Sequence, residues 1–247
     1  MGKEHTVIEK TPGIVLHQIK HTDTGVVVHV FTRNFGRLSL LIKGMRNKKA
    51  GRHMSYLQPL TVLDLVFYYR QSRGMHHVKE FSVSYAPSDI HNNVRKSTTA
   101  IFLGEVLNAV LREETPQEEL FGFIKDSIVY FDSRGEGYLN YHIAFLCGLC
   151  SWLGIEPGQK GGDDEVYFDL INGCFRSIPP SHASYADKEI SGILARFFSS
   201  SWDEMNTIPL TGSSRNEVLE TLIRYYSIHL PSLKKIRSLG ILKEVFS

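Results

Sequence analysis

The feature that most constrains this chain is a change of period. From Pro12 to Tyr85 apolar residues recur at every second position, and beyond Pro87 they recur every 3.6. A period of two describes pleated strands with one buried face, and 3.6 describes amphipathic helices, so a sheet is followed by helices. The first part predicts five strands, over residues 13–19, 26–33, 38–42, 61–69 and 77–85. In the second, Val26, Val28 and Val30 share one face while Val27, His29, Phe31 and Arg33 share the other. After the Asn34-Phe35-Gly36 turn, Leu38, Leu40 and Ile42 point one way and Arg37, Ser39, Leu41 and Lys43 the other. That alternation sends Arg33, Arg37 and Lys43 toward solvent. Five short strands with long outer loops suit a small closed barrel, of which the OB-fold is the common nucleic-acid-binding form. An SH3-like barrel has nearly the same pattern, and strand order is not written in the periodicity.

The helical part predicts a helix over residues 89–114 and a new one announced by Thr115-Pro116-Gln117-Glu118, where a capping residue precedes proline and a third-position glutamate. It buries Leu120, Ile124, Ile128 and Phe131; a third helix carries Tyr138, Tyr141, Phe145, Leu149 and Trp152. Residues 156–180 interrupt the helices with Gly158, Gly161 and Gly162, the acidic Asp163-Asp164-Glu165, and an Asn172-Gly173 pair between two short apolar runs, which signals a hairpin. Helices resume through Ile190 and Phe197, and again from a capping-box pattern at Ser214 to Glu217. The expected fold class is α+β: a five-stranded OB-fold barrel over residues 1–80, then an all-helical domain over 81–247 with a hairpin insertion.

Charge divides the same way. Residues 1–80 hold 13 Lys and Arg against 5 Asp and Glu, in a chain whose formal net charge is only +2. The excess is densest in residues 31–60, where no acidic residue occurs. Clustered cations beside an open sheet suit a polyanion, because contacts to phosphates release counterions. Arg33, Arg37, Lys43, Arg46, Lys48, Lys49 and Arg52 are the candidate phosphate contacts. Phe35, Tyr56 and Tyr68 are available for base stacking, and each is equally suited to a barrel core.

Other constellations carry less. Cys147 and Cys150 have CxxC spacing but lie within the apolar HIAFLCGLCSWLG, and Cys174 is the only other cysteine. Four zinc ligands are therefore lacking, and a buried cysteine acts as a small hydrophobe. Three cysteines argue against a disulfide framework. Asp163, Asp164, Glu165 and Asp169 would serve a metal-dependent nuclease only with a catalytic histidine or lysine at a recognisable spacing, and none accompanies them. The opening MGKEHTVIEK has no apolar core, so no secretory signal is expected, and the longest apolar run, residues 143–155, is too short to span a bilayer.

TPGIVLHQIKHTDTGVVVHVFTRNFGRLSLLIKGMRNKK, followed by LQPLTVLDLVFY, resembles the N-terminal barrel of the bacterial recombination mediator family RecO. The GIVL strand, the FTR-type turn, Gly36-Arg37-Leu38, Lys43-Gly44 and Leu57-Gln58-Pro59 occur in the family's order, and the LGIEPG and RSLGIL segments are similar more weakly. The resemblance implies a cytoplasmic, nucleoid-associated protein that is not an enzyme and has no cofactor. It implies binding of single- and double-stranded DNA by the OB-fold, annealing of complementary strands, a complex with RecR, contact with the acidic C-terminal tail of single-strand binding protein, and loading of RecA. Many members carry a four-cysteine zinc module where this chain has residues 158–178 and only Cys174, so metal is expected to be absent. A protein-interaction adaptor without DNA affinity and a nuclease remain the alternatives.

Overall fold

The computed structural model describes residues 6–22, 25–43, 54–70, 73–233 and 235–246. Arg46, Lys48, Lys49 and Arg52 therefore lie outside the described residues. The chain packs as two compact units, residues 1–133 and 134–247.

In the first unit, β1 (Val7–Thr22), β2 (Gly25–Thr32), β3 (Gly36–Lys43), β4 (Val62–Tyr69) and β5 (His76–Tyr85) form a closed barrel in the order β1-β2-β3-β5-β4. This is the OB-like order that periodicity alone left open. β1 is longer than its apolar run suggests because it serves two neighbours. Its first half pairs with β4 and its second with β2, with an irregular register between Val15 and His17. Gly13 sits in both ladders, opposite Thr32 and Leu63. A Cβ there would come within 2.4 Å of Val30 Cγ1 and 2.8 Å of Leu65 Cδ1, so glycine is what the packed interior admits. The inward residues predicted from alternation, among them Val26, Val28, Val30, Leu38, Leu40, Leu63, Leu65 and Phe67, make the core.

After β5 come three helices, α1 (Ser88–Asn92), α2 (Val94–Val110) and α3 (Glu118–Ser133). The single helix expected over 89–114 is broken at Asn93, which adopts an extended backbone and whose side chain accepts hydrogen bonds from the N–H groups of Arg95 and Lys96. Lys96 is wholly buried. Its ammonium donates to Asp89 Oδ2 at 2.5 Å and to the backbone oxygens of Phe131 and Asp132 at the end of α3, at 2.8 and 3.3 Å. A cation there satisfies helix C-terminal carbonyls that would otherwise be unpaired. The Asp132 carboxylate accepts from Tyr85 Oη at 2.8 Å and from the Ile90 N–H at 2.9 Å, which ties β5 and α1 to the same point.

The second unit is built on α4 (Tyr141–Trp152), whose face-independent burial follows from a run with almost no polar side chain. Around it lie α5 (Lys188–Ser199), α6 (Trp202–Thr207) and α7 (Gly212–His229), with α8 (Ser238–Val245) at the end. Two of its buried polar side chains are paired across helices: Tyr226 Oη donates to Leu146 O at 2.6 Å, and Arg215 Nε to Asn140 Oδ1 at 3.0 Å. α7 starts earlier than its sequence signature, because Thr211 rather than Ser214 is the capping residue. The Asn172-Gly173 hairpin is present as β6 (Tyr167–Asp169) and β7 (Cys174–Arg176), and a strand absent from the sequence reading, β8 (Tyr185–Ala186), pairs with β6 on its other side. No helix among the described residues is long and apolar enough to cross a membrane.

Replacing Lys96 by Ala leaves the Asp89 carboxylate and two carbonyls without their shared donor. Because Asp89 is half exposed, the expected loss is at the low end for a broken buried pair, about 2–3 kcal/mol. Urea denaturation checks it; an unchanged midpoint would show that the ammonium contributes nothing net.

Candidate nucleic-acid interface

The outer face of β2 and β3 has two ends with different fates. At the Gly36 end it is covered by the first unit's own helices. Phe31 packs against Phe121 with ring centroids 6.2 Å apart, and the Arg37 backbone N–H donates to Glu113 O at 3.0 Å. Gly36 has φ +62 and lies beneath this linker, where a Cβ would approach Glu113 O to 2.2 Å. Arg37 is consequently half buried rather than solvated. Its guanidinium donates to Asn108 Oδ1 at 3.0 Å and meets His29 Nδ1 at 2.9 Å. Burial, then the charge of Arg112, pulls its pKa down, and burial followed by Arg37 brings His29 down to about 4. Arg33 lies just beyond β2 and pairs with Glu118 at 2.7 Å, each side chain half exposed. Phe35 is a barrel plug: its ring meets Phe67 edge-on at 5.5 Å and Tyr69 at 5.1 Å.

The other end is uncovered by these helices. Lys43 is exposed at the end of β3, six residues and roughly 20 Å along the strand from Arg37. With Thr6, Tyr68, Arg70, Arg73, Met75, His76, His77 and Val78 it lines a cavity of about 590 Å³ that no carboxylate of the described residues enters. What brings these groups together is barrel closure, since β3 and β5 meet in parallel through Leu40 opposite His76 and Leu41 opposite His77. Arg70 is oriented by a 2.5 Å hydrogen bond from its Nε to Thr6 Oγ1. The electrostatic consequence is registered by His77: burial first, then the charges of Lys43, Arg73 and Arg70, lower its pKa below the ordinary histidine value. A site whose cations depress a neighbouring imidazolium is a site of positive potential. Of the sequence candidates, then, Lys43 joins this cluster, Arg33, Arg37 and Phe35 are engaged at the covered end, and half-buried Tyr56 does not line the cavity. Sequence reasoning missed Arg70, Arg73 and His77. The available signal was the loop between the fourth and fifth strands, which OB-folds use for ligands.

Over residues 158–178, where the resemblance noted in the sequence implies a zinc module in many members, the residues present do not fit a four-thiolate site. Cys174 is the one cysteine of the segment, and no group of three or more His, Cys, Asp or Glu able to hold a metal occurs among the described residues. Asp169, only 1% exposed, occupies the centre instead. Its carboxylate accepts from the N–H groups of Ile171 and Asn172, from Asn172 Nδ2 and from Arg176 Nε, at 2.7 to 3.0 Å, and His182 Nε2 lies 3.3 Å away. Burial works to raise its pKa, and these donors outweigh that and hold it low. The acidic trio is engaged locally: Asp164 accepts from Ser177, Glu165 from the Gly161 N–H, and Asp163 faces Lys160 at 3.8 Å. Cys147 and Cys150 are buried in α4, and burial pushes the Cys150 thiol up to about 12, which makes it unreactive at neutral pH.

Residues 6–86 match the family model described as Recombination protein O N terminal, and residues 91–239 match that described as Recombination protein O C terminal. The chain is thus one of the recombination proteins. Among its curated relatives, the DNA repair protein RecO of Phocaeicola vulgatus is 31% identical over 241 residues, covering 98% of this chain and all of the relative. That of Bacteroides fragilis is 33% identical over 242 residues, with 97% and 100% covered, and that of Porphyromonas gingivalis 30% over 237, with 94% and 97%. The chain belongs to the RecO family, a family of DNA repair proteins.

The cluster around His77 makes a measurable statement. In an NMR titration its imidazole should titrate below the usual value near 6.5, and in Arg73→Ala the pKa should move back up because one of the depressing charges is gone. No change in that variant would mean the cations do not converge there.

Proposed function

We propose that this protein is a non-enzymatic recombination mediator whose barrel, residues 1 to about 80, receives the phosphate backbone of DNA at the Lys43 end. The observation that carries the reading is the convergence of Lys43, Arg70 and Arg73 on one cavity that has no carboxylate among its described lining residues, with His77 under their potential. Phosphate contacts from such side chains are independent of sequence, which suits a protein acting on whatever strand damage exposes. Arg46, Lys48, Lys49 and Arg52 follow Lys43 in the chain and are proposed as further phosphate contacts. Membership of the RecO family supports the finer reading: binding of single- and double-stranded DNA, annealing of complementary strands, and action with RecR to load RecA where single-strand binding protein coats the DNA, in the cytoplasm at the nucleoid.

The helical remainder has a feature that favours a second, complementary role. A cavity of about 570 Å³ in the second unit is lined by Pro157, Phe175, Ala195 and Phe198, and its charged groups are the cations Lys160 and Arg196 against one carboxylate, Glu156. Apolar walls beside two cations suit an acidic peptide, the chemistry of the single-strand binding protein tail.

Two measurements test these assignments. Reversing Lys43 and Arg73 together to Glu should weaken single-stranded DNA binding and flatten the dependence of log affinity on log salt by about 1.4, the share of two lost phosphate contacts. An unchanged slope in a variant that melts normally would remove this end of the barrel from the DNA site. Arg196→Glu should weaken binding of an acidic tail peptide about tenfold, the scale of one charge-assisted hydrogen bond, with DNA affinity unaltered. Equal peptide binding by both forms would take the pocket out of consideration.

A further inference from the structure

The strand registers around the Lys43 end contain more than a cluster of charges. On the outer face, Leu41 of β3 stands opposite His77 of β5, His77 opposite Tyr68 of β4, and Tyr68 opposite Ile8 of β1. These four side chains form one row crossing the barrel. Two of its members are large hydrophobics left open to solvent, Tyr68 at 39% and Ile8 at 48%. A second row lies two residues along the strands: Lys43 beyond Leu41, Arg70 beyond Tyr68, and Thr6 before Ile8, with Arg70 bonded to Thr6. Two residues of strand are roughly 7 Å, so a cationic, hydrogen-bonding rim runs beside an aromatic and aliphatic row at that spacing.

Two such rows suit different parts of a nucleotide. The rim takes phosphates. The inner row offers the π face of Tyr68 and an aliphatic neighbour, on which a planar base can rest. Tyr69, the next residue, shows the contrast: its ring is turned inward against Phe35 and His76 and belongs to the barrel interior. Asp64 and Glu80, described acidic residues of the same outer face, line a separate cavity further along β4 and β5 that Tyr68 does not enter.

Resting on the DNA reading given above, we infer that Tyr68 is a base-stacking residue and that it makes the Lys43 end selective for single strands. The ligand class is an unpaired nucleobase whose own phosphates sit on the rim. In a duplex the bases are stacked on one another and their faces are closed, so a duplex engages the cations alone. A base held by its face keeps its pairing edge free, which is compatible with annealing while bound.

The test compares single-stranded and duplex oligonucleotides of equal length by fluorescence anisotropy at one salt concentration. Tyr68→Ala should weaken single-strand binding about tenfold and change duplex binding less than twofold, whereas Tyr68→Phe should behave as wild type. Since Tyr68 points outward, the variants are expected to melt normally. Tyr68→Trp supplies an independent readout: its indole emission should be quenched on adding single strand and not on adding duplex. Equal losses for both DNAs, no loss for either, or an unquenched indole would overturn the inference. The Lys43→Glu and Arg73→Glu double variant separates this failure from that of the broader reading. If it loses affinity while Tyr68→Ala does not, only the stacking role falls; if it loses none, the DNA site at this end falls with it.

Discussion

Two residue pairs, Leu40 with His76 and Leu41 with His77, close the barrel by bringing β3 and β5 side by side. Everything at the candidate site depends on that contact. Lys43 ends one of these strands, and Arg70, Arg73 and His77 surround the start of the other, so cations far apart in sequence become neighbours only because the sheet curls. The curl in turn requires β1 to serve β2 and β4 at once. Gly13, at the position shared by both ladders, removes the side chain that would collide with Val30 and Leu65. Interior packing and surface potential are therefore one construction: the residues that admit closure inside decide which charges meet outside.

The same barrel shows how a fold can assign opposite roles to like residues. Arg37 and Lys43 lie on the same face of one strand, yet the first is held by Asn108 and His29 beneath a covering linker and the second is exposed. Burying a guanidinium is tolerable where donors are matched to acceptors, and its contribution is then to local structure rather than to a ligand. Arg33 is drawn aside by Glu118 at the mouth of the same covered end. Among the three described cations of residues 31–60, Lys43 is the one that reaches the open end.

Much of the fold was legible in the sequence because alternation and helical spacing are local. The inward faces of β2 and β3 agree residue for residue with the buried core, and Asn172-Gly173 marks a real hairpin with Gly173 at φ +61. What was illegible was set by contacts between distant residues. Alternation gave Arg37 its outward direction correctly but could not foresee residues 108–118 docking over it. Phe35 carried equal claims to stacking and to packing until Phe67 and Tyr69 were seen against it. The prominence of the basic run drew attention to residues 46–52, while Arg70 and Arg73, inconspicuous in a short turn, acquire meaning only through the parallel contact. β8 was missed because two residues are too few to show a period.

The segment after α4 carries one further consequence. A thiolate cage is vulnerable to oxidants and to chelators, because its ligands can be alkylated, oxidised or stripped of their ion. The hub at Asp169 is assembled from a carboxylate, amides and a guanidinium, none of which has accessible redox chemistry. Its weak point is proton concentration instead: with a depressed folded pKa, its contribution is present above the ordinary aspartate range and fades as acidity rises through the lower folded value. Oxidants and chelators that would dismantle a metal-thiolate cage therefore have no ligand to attack among the groups bonded to Asp169.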